Sequence, residues 1–295
     1  MSMWSEFAER HPEIAEPVYF LDDFLRTPPT RDTGVLPFPE GGRWGNVRGY
    51  AYGAGAWVHE DEVLPVVFVS SKYVGEGLTP LDESPVAELL SVSRLDSRVF
   101  AVGIEPPRLF GGPVPGARIS VGMRNGMSGT LALRDGVRGF LTAGHVAPDI
   151  GALVRDLSGT AIGIVRDSRS LGNDSLDPAA DIAFIECHAD TVTRTPRLLR
   201  TLAERDAVAY SGLRGPVNTW IQALSPNFLV DRTRAGWAEI AMTGDPVANE
   251  GDSGGPVFSE DGTLAGHVVG GTKSSYTLVQ EAAFQLDAIG AIAID

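Results

Sequence analysis

The chain has 295 residues, 43% hydrophobic and 21% charged, a balance that excludes a disordered chain and is long enough for two filled cores. A net charge of −14 argues against nucleic acid or an anionic membrane as the main partner. Thirty-five glycines and 20 prolines call for many turns, as an all-β protein of short strands requires.

Residues 3 to 26 mix polar and apolar positions and predict one or two short helices. Residues 27 to 45 are rich in Pro and Gly and read as a linker, so residues 1–45 form an extension. A small α/β accessory domain is expected over 46–112. Its strands are Arg48 to Val58, Leu64 to Ser70 and Arg98 to Ile104, and its helix runs from Ser84 to Leu95, with Ser84 as cap and Pro85 in the first turn. No chemistry is recognisable in it.

Residues 113–295 form the main domain. Six strand-like runs begin near Ile119, Thr130, Gly139, Ala152, Ala161 and Asp181. After a polar connection, a second set covers Ala207 to Ser211, Thr219 to Leu224, Trp237 to Met242, Gly255 to Phe258, Leu264 to Val269 and Tyr276 to Val279. Val279 to Leu286 has helix-like spacing and predicts a packed terminal helix.

The single cysteine, Cys187, excludes an intramolecular disulfide and suits a reducing compartment. The first ten residues have neither a basic nor an apolar signal-peptide region. No apolar run reaches the roughly 18 residues that a spanning helix needs. A cytoplasmic protein is therefore expected, with no membrane partner.

Three segments carry chemistry. Ser253 stands in Gly251-Asp252-Ser253-Gly254-Gly255-Pro256, His145 ends Leu141-Thr142-Ala143-Gly144-His145, and Asp181 opens Asp181-Ile182-Ala183-Phe184-Ile185. A serine hydroxyl needs a neutral imidazole to take its proton, and that imidazole needs a carboxylate to fix its tautomer. The chain order His, Asp, Ser argues against the α/β-hydrolase elbow, where acid and His follow the Ser. Asp174 and Asp177 compete with Asp181 but lie in a more polar run.

These segments resemble those of the trypsin/chymotrypsin-fold serine proteases over about residues 113 to 295. Gly144 stands where the family has Ala, and Val146 where it often has Cys. The resemblance implies a fold of two antiparallel six-stranded β-barrels, mainly β, with the α/β domain added at the N-terminus. It implies a serine endopeptidase acting on protein or peptide substrates through an acyl-enzyme, with catalytic residues His145, Asp181 and Ser253. The amides of Gly251 and Ser253 would form the oxyanion hole, and no metal or organic cofactor is called for. The substrate pocket would fall on Val247, Glu250, Val269, Gly270 and Gly271. Val247 offers no counter-charge for Arg or Lys, so an apolar P1 residue is expected. His267 is a weaker candidate for binding an acidic P1. Arg118-Ile119 faintly resembles a zymogen activation site, and an ordinary first strand is the stronger reading there. The alternative is a latent or inactive trypsin-fold scaffold, with a regulatory protein partner read by the N-terminal domain.

Overall fold

The computed structural model describes residues 2–26, 51–71, 74, 77–81, 99–104, 119–171, 179–187, 198–212, 215–231 and 236–294. The expected linker, the expected helix at Ser84 to Leu95, Asp174 and Asp177 lie outside them. Among the described residues no helix is long and apolar enough to cross a membrane.

Two helices come first, α1 (Met3–Arg10) and α2 (Pro12–Arg26). Ser2 caps α1, its hydroxyl oxygen accepting the Ser5 N–H at 3.2 Å. Pro12 opens α2, where its missing N–H costs nothing. The strands are β1 (Ala51–His59), β2 (Glu62–Ser70), β3 (Gly77–Pro80), β4 (Phe100–Ile104), β5 (Ile119–Val121), β6 (Arg124–Gly126), β7 (Leu131–Arg134), β8 (Val137–Thr142), β9 (Leu153–Arg155) and β10 (Ala161–Arg169). Then follow β11 (Ile182–Glu186), β12 (Ala207–Gly212), β13 (Gly215–Asp231), β14 (Gly236–Thr243), β15 (Pro256–Ser259), β16 (Leu264–Gly271) and β17 (Thr277–Glu281). Helix α3 (Ala282–Ile289) and β18 (Ala291–Ala293) close the chain.

The strands form two sheets. One has ten strands in the order β12-β15-β16-β17-β14-β13-β1-β2-β4-β3, with a further β12–β13 pairing. The other has eight, in the order β18-β7-β8-β11-β10-β9-β5-β6. The fold is mainly β, as expected, and every predicted run of the main domain is a strand. The expectation of two six-stranded barrels is corrected. The larger sheet is extended by β1, β2, β4 and β3, and the smaller gains the β6 hairpin arm and β18.

The physical reason for the first extension lies in β13, which is 17 residues long. The sequence-predicted strand stops at Leu224, two residues before Pro226, whose missing N–H removes a ladder donor. In the structure the strand runs through it, with a register shift between Ser225 and Phe228. One edge of β13 pairs with β14. The other is divided between β12, at Gly215 to Trp220, and β1, at Ala223 to Phe228. Gly55 permits the close approach of β1: a Cβ there would lie 2.3 Å from the Leu224 carbonyl oxygen.

Met3, Trp4 and Phe7 of α1 and Val18 and Leu21 of α2 are buried in one cluster with Ala54, Val67, Leu224 and Val279. Each such aromatic or branched side chain contributes about 2 kcal/mol on burial. The first turn of α1 is also tied down by polar groups. Met3 N–H donates to Glu281 Oε2 at 3.0 Å and Trp4 N–H to Glu239 Oε1 at 3.1 Å. These are helix N-terminal donors with no partner inside the helix. Both carboxyls are buried, and burial raises their pKa values, that of Glu281 to about 7.

Strand β11 is buried on both faces. Ile182 and Phe184 pack with Leu264, Leu286 and Ile289, while Ala183 and Ile185 pack with Val121, Phe140 and Val165. This period-two division sets α3 against one face of the smaller sheet.

Candidate active site

The antiparallel pairing of β8 and β11 places Thr142 opposite Ala183. His145 lies three residues past Thr142 and Asp181 two before Ala183, so both fall at the same end of the sheet. Asp181 is fully buried. Its Oδ2 accepts from His145 Nδ1 at 2.6 Å and its Oδ1 from the His145 backbone N–H at 2.8 Å. An ionised carboxylate only accepts, so the ring proton sits on Nδ1 and the lone pair of the neutral ring is on Nε2. Two hydrogen bonds from one residue fix both the position and the tautomer of the imidazole.

Gly144 belongs to the same close packing. A Cβ at this position would lie 1.9 Å from the Arg169 carbonyl oxygen and 3.0 Å from the Ile182 nitrogen. The end of β10 runs directly against the turn that carries His145, which leaves room only for Gly.

Ser253 comes from the other sheet, in the turn before β15. Gly251 and Gly254 have φ of 90° and 88°, a region costly for any residue with a Cβ. Asn249 N–H donates to Asp252 Oδ2 at 2.8 Å and Asp252 N–H to the Asn249 carbonyl at 3.0 Å, which closes the turn. The Ser253 carbonyl accepts from Met127 N–H at 2.8 Å, and Gly254 N–H donates to Val268 O at 2.8 Å. A Cβ on Gly254 would lie 2.7 Å from the Ala143 nitrogen. The serine turn therefore packs against the segment that carries His145. Ser253 is 0% exposed and His145 7%.

The sequence-predicted pocket residues divide between environments. Val247 is buried with Ala248, Val257 and Val279, and its N–H donates to Thr277 Oγ1 at 3.0 Å. Val269 packs instead with Met242, Tyr276 and Leu278. Gly270 and Gly271 are buried in β16, and Glu250 is exposed. The weaker role suggested for His267 is corrected. The residue is 1% exposed, its Nδ1 is 2.7 Å from Gln285 Oε1 and its Nε2 is 3.1 Å from Thr130 Oγ1. Burial pushes its pKa down to about 4, so the ring is neutral and offers no charge to an acidic side chain. Ile119 lies within β5, paired with Gly126, as an ordinary strand residue.

Sequence reasoning missed Gln280 and Gln285. Gln280 Oε1 accepts the Asp181 N–H at 2.8 Å, and Gln285 Nε2 donates to the Asp181 carbonyl at 3.1 Å. A glutamine in a strand or a short helix carries no local sign of this role.

No family model matches the chain, and no match is found among curated proteins. Among solved structures the chain is similar to the Nocardiopsis protease NAPase, at 24% identity over 64% of this chain and 100% of that one, with a TM-score of 0.49. A glutamic-acid-specific serine protease described as using a histidine triad in substrate binding is similar at 19% identity, over 61% and 98%, with a TM-score of 0.48. A Cellulomonas bogoriensis chymotrypsin is similar at 24% identity, over 63% and 98%, with a TM-score of 0.46.

Proposed function

We propose that the chain is a serine endopeptidase of the trypsin/chymotrypsin type. The observation that carries this reading is the double hydrogen bond from His145 to the buried Asp181 carboxylate, packed against the Ser253–Gly254 turn. Ser253 Oγ attacks a peptide carbonyl and its proton passes to His145 Nε2. The backbone amides of Gly251 and Ser253 face the oxygen on which negative charge develops, an interaction worth on the order of 100- to 1,000-fold in rate per donor. The imidazolium then gives its proton to the leaving amine. Water, deprotonated by the same ring, hydrolyses the acyl-enzyme and restores Ser253. Asp181 keeps its two hydrogen bonds from His145 and holds the ring in place.

An apolar P1 residue fits Val247 near the pocket base. The single cysteine, Cys187, favours a reducing, cytoplasmic setting. A second reading, a latent or scaffold form released by a partner protein through residues 46–112, is favoured by the complete burial of Ser253. One experiment separates the two. A fluorophosphonate probe is expected to label the wild type and not Ser253→Ala. Labelling that appears only after addition of cell extract supports latency. Equal labelling of both proteins removes Ser253 as the nucleophile.

A further inference from the structure

We infer that Gln280 and Gln285 are positioning residues that hold Asp181 against His145, an inference that rests on the triad reading above. Asp181 stands just before β11, where the ladder ends and neighbouring strands no longer fix its backbone. Two fully buried glutamines take over. Gln280, on β17, grips the segment at two points: Oε1 accepts from Asp181 N–H, and Nε2 donates to the Ala179 carbonyl at 2.9 Å. Gln285, on α3, donates through Nε2 to the Asp181 carbonyl and to Gln280 Oε1 at 3.2 Å.

The amide orientations follow from Asp181 itself. A backbone N–H can only donate and a carbonyl can only accept, so Gln280 presents oxygen and Gln285 presents nitrogen. Gln285 Oε1 then faces His267 Nδ1, which must carry the proton, and His267 Nε2 accepts from the Thr130 hydroxyl. Every hydrogen bond in the chain thus has one direction. Unlike a lone buried amide, a fully satisfied buried network rigidifies its members.

The network also reaches the nucleophile. Val268 follows His267 on β16, and its backbone exchanges hydrogen bonds with Gly254 N–H at 2.8 Å and the Gly255 carbonyl at 2.9 Å. Gln285 therefore ties the acid-bearing segment of one sheet to the strand that holds the serine turn in the other.

The test compares Gln285→Met, which keeps the side-chain length and offers no amide, with Ile289→Ala, which empties a buried site at the far end of α3. The readouts are the fluorophosphonate labelling rate against pH and, in the Ser253→Ala background, the low-field proton NMR signal of His145 Nδ1–H. Gln285→Met is expected to slow labelling roughly 10- to 100-fold. It should also weaken the low-field signal and move the rising limb of the pH profile to lower pH, because an imidazole without an aligned carboxylate gives up its proton more readily. Ile289→Ala is expected to melt lower with limb and signal unchanged. If Gln285→Met does not fold, Gln285→Leu replaces it, with the same expected result, since it too offers no donor to the Asp181 carbonyl. A folded Gln285 variant with unchanged limb and signal overturns the inference. If the wild type is never labelled, the triad reading fails, and the NMR comparison alone decides whether Gln285 holds Asp181.

Discussion

Glu281 offers a quantitative test of how α1 is held. Its buried carboxyl meets the Met3 N–H and the Thr201 hydroxyl, which favour the charged form, and Glu239 and Glu6, which oppose it. Burial is the largest influence and lifts the pKa from 4.5 to about 7. Between these values the folded chain keeps a proton that the unfolded chain has released. Stability therefore falls as pH rises through this window and levels off above about 7. The interval corresponds to about 3 kcal/mol. Glu281→Gln keeps an acceptor for Met3 N–H and removes the titration. Thermal melting of both proteins at pH 5, 6, 7 and 8 is the assay. Most of that interval lies between pH 5 and pH 8, so the Tm difference is expected to shift in favour of the variant by roughly 5 °C across the assay, at about 2 °C per kcal/mol for a chain of this size. A constant offset reports only how well the amide fits its site. A difference that does not change with pH would refute the reasoning, because it would mean that Glu281 is charged in the folded chain across the whole range.

Two further outcomes follow from the site. Gly144→Ala forces a Cβ against the Arg169 carbonyl and is expected to cost at least about 1–3 kcal/mol, with a loss of labelling as the His145 turn shifts. Chemical denaturation and fluorophosphonate labelling check both, and a variant as stable and reactive as wild type contradicts the packing described. Matched peptides with Leu, Phe, Glu and Arg at P1 are expected to give the highest kcat/KM for the apolar pair, and Val247→Asp to gain Arg cleavage. Preference of the wild type for Arg would show that the pocket base lies elsewhere.

The strands were legible because alternation and turn residues are local signals, and each predicted run of the main domain became one. The three candidate catalytic residues were legible because their flanking residues are distinctive. Gly144 showed as a departure from the family pattern, but only the carbonyl of Arg169 gives it a reason. The passage of β13 through Pro226 was not legible, since the same residues usually mark a turn and only pairing with β1 and β14 decides. Glutamines 280 and 285 and glutamates 239 and 281 look like surface residues in the sequence. Their burial depends on partners 99 or more residues away, Asp181 for the first pair and the start of α1 for the second.

The pairing of β1 with β13 bears on how the protein can be trimmed. A chain begun at residue 113 keeps all three candidate catalytic residues, yet it uncovers the β13 edge from Ala223 to Phe228. It also removes α1 and α2 from the core cluster that holds Leu224 and Val279, and leaves the Glu239 and Glu281 carboxyls without their helix donors. A bare apolar strand edge recruits strands from other molecules. Such a shortened chain would tend to aggregate before its catalysis could be measured, so the full chain is the form to purify.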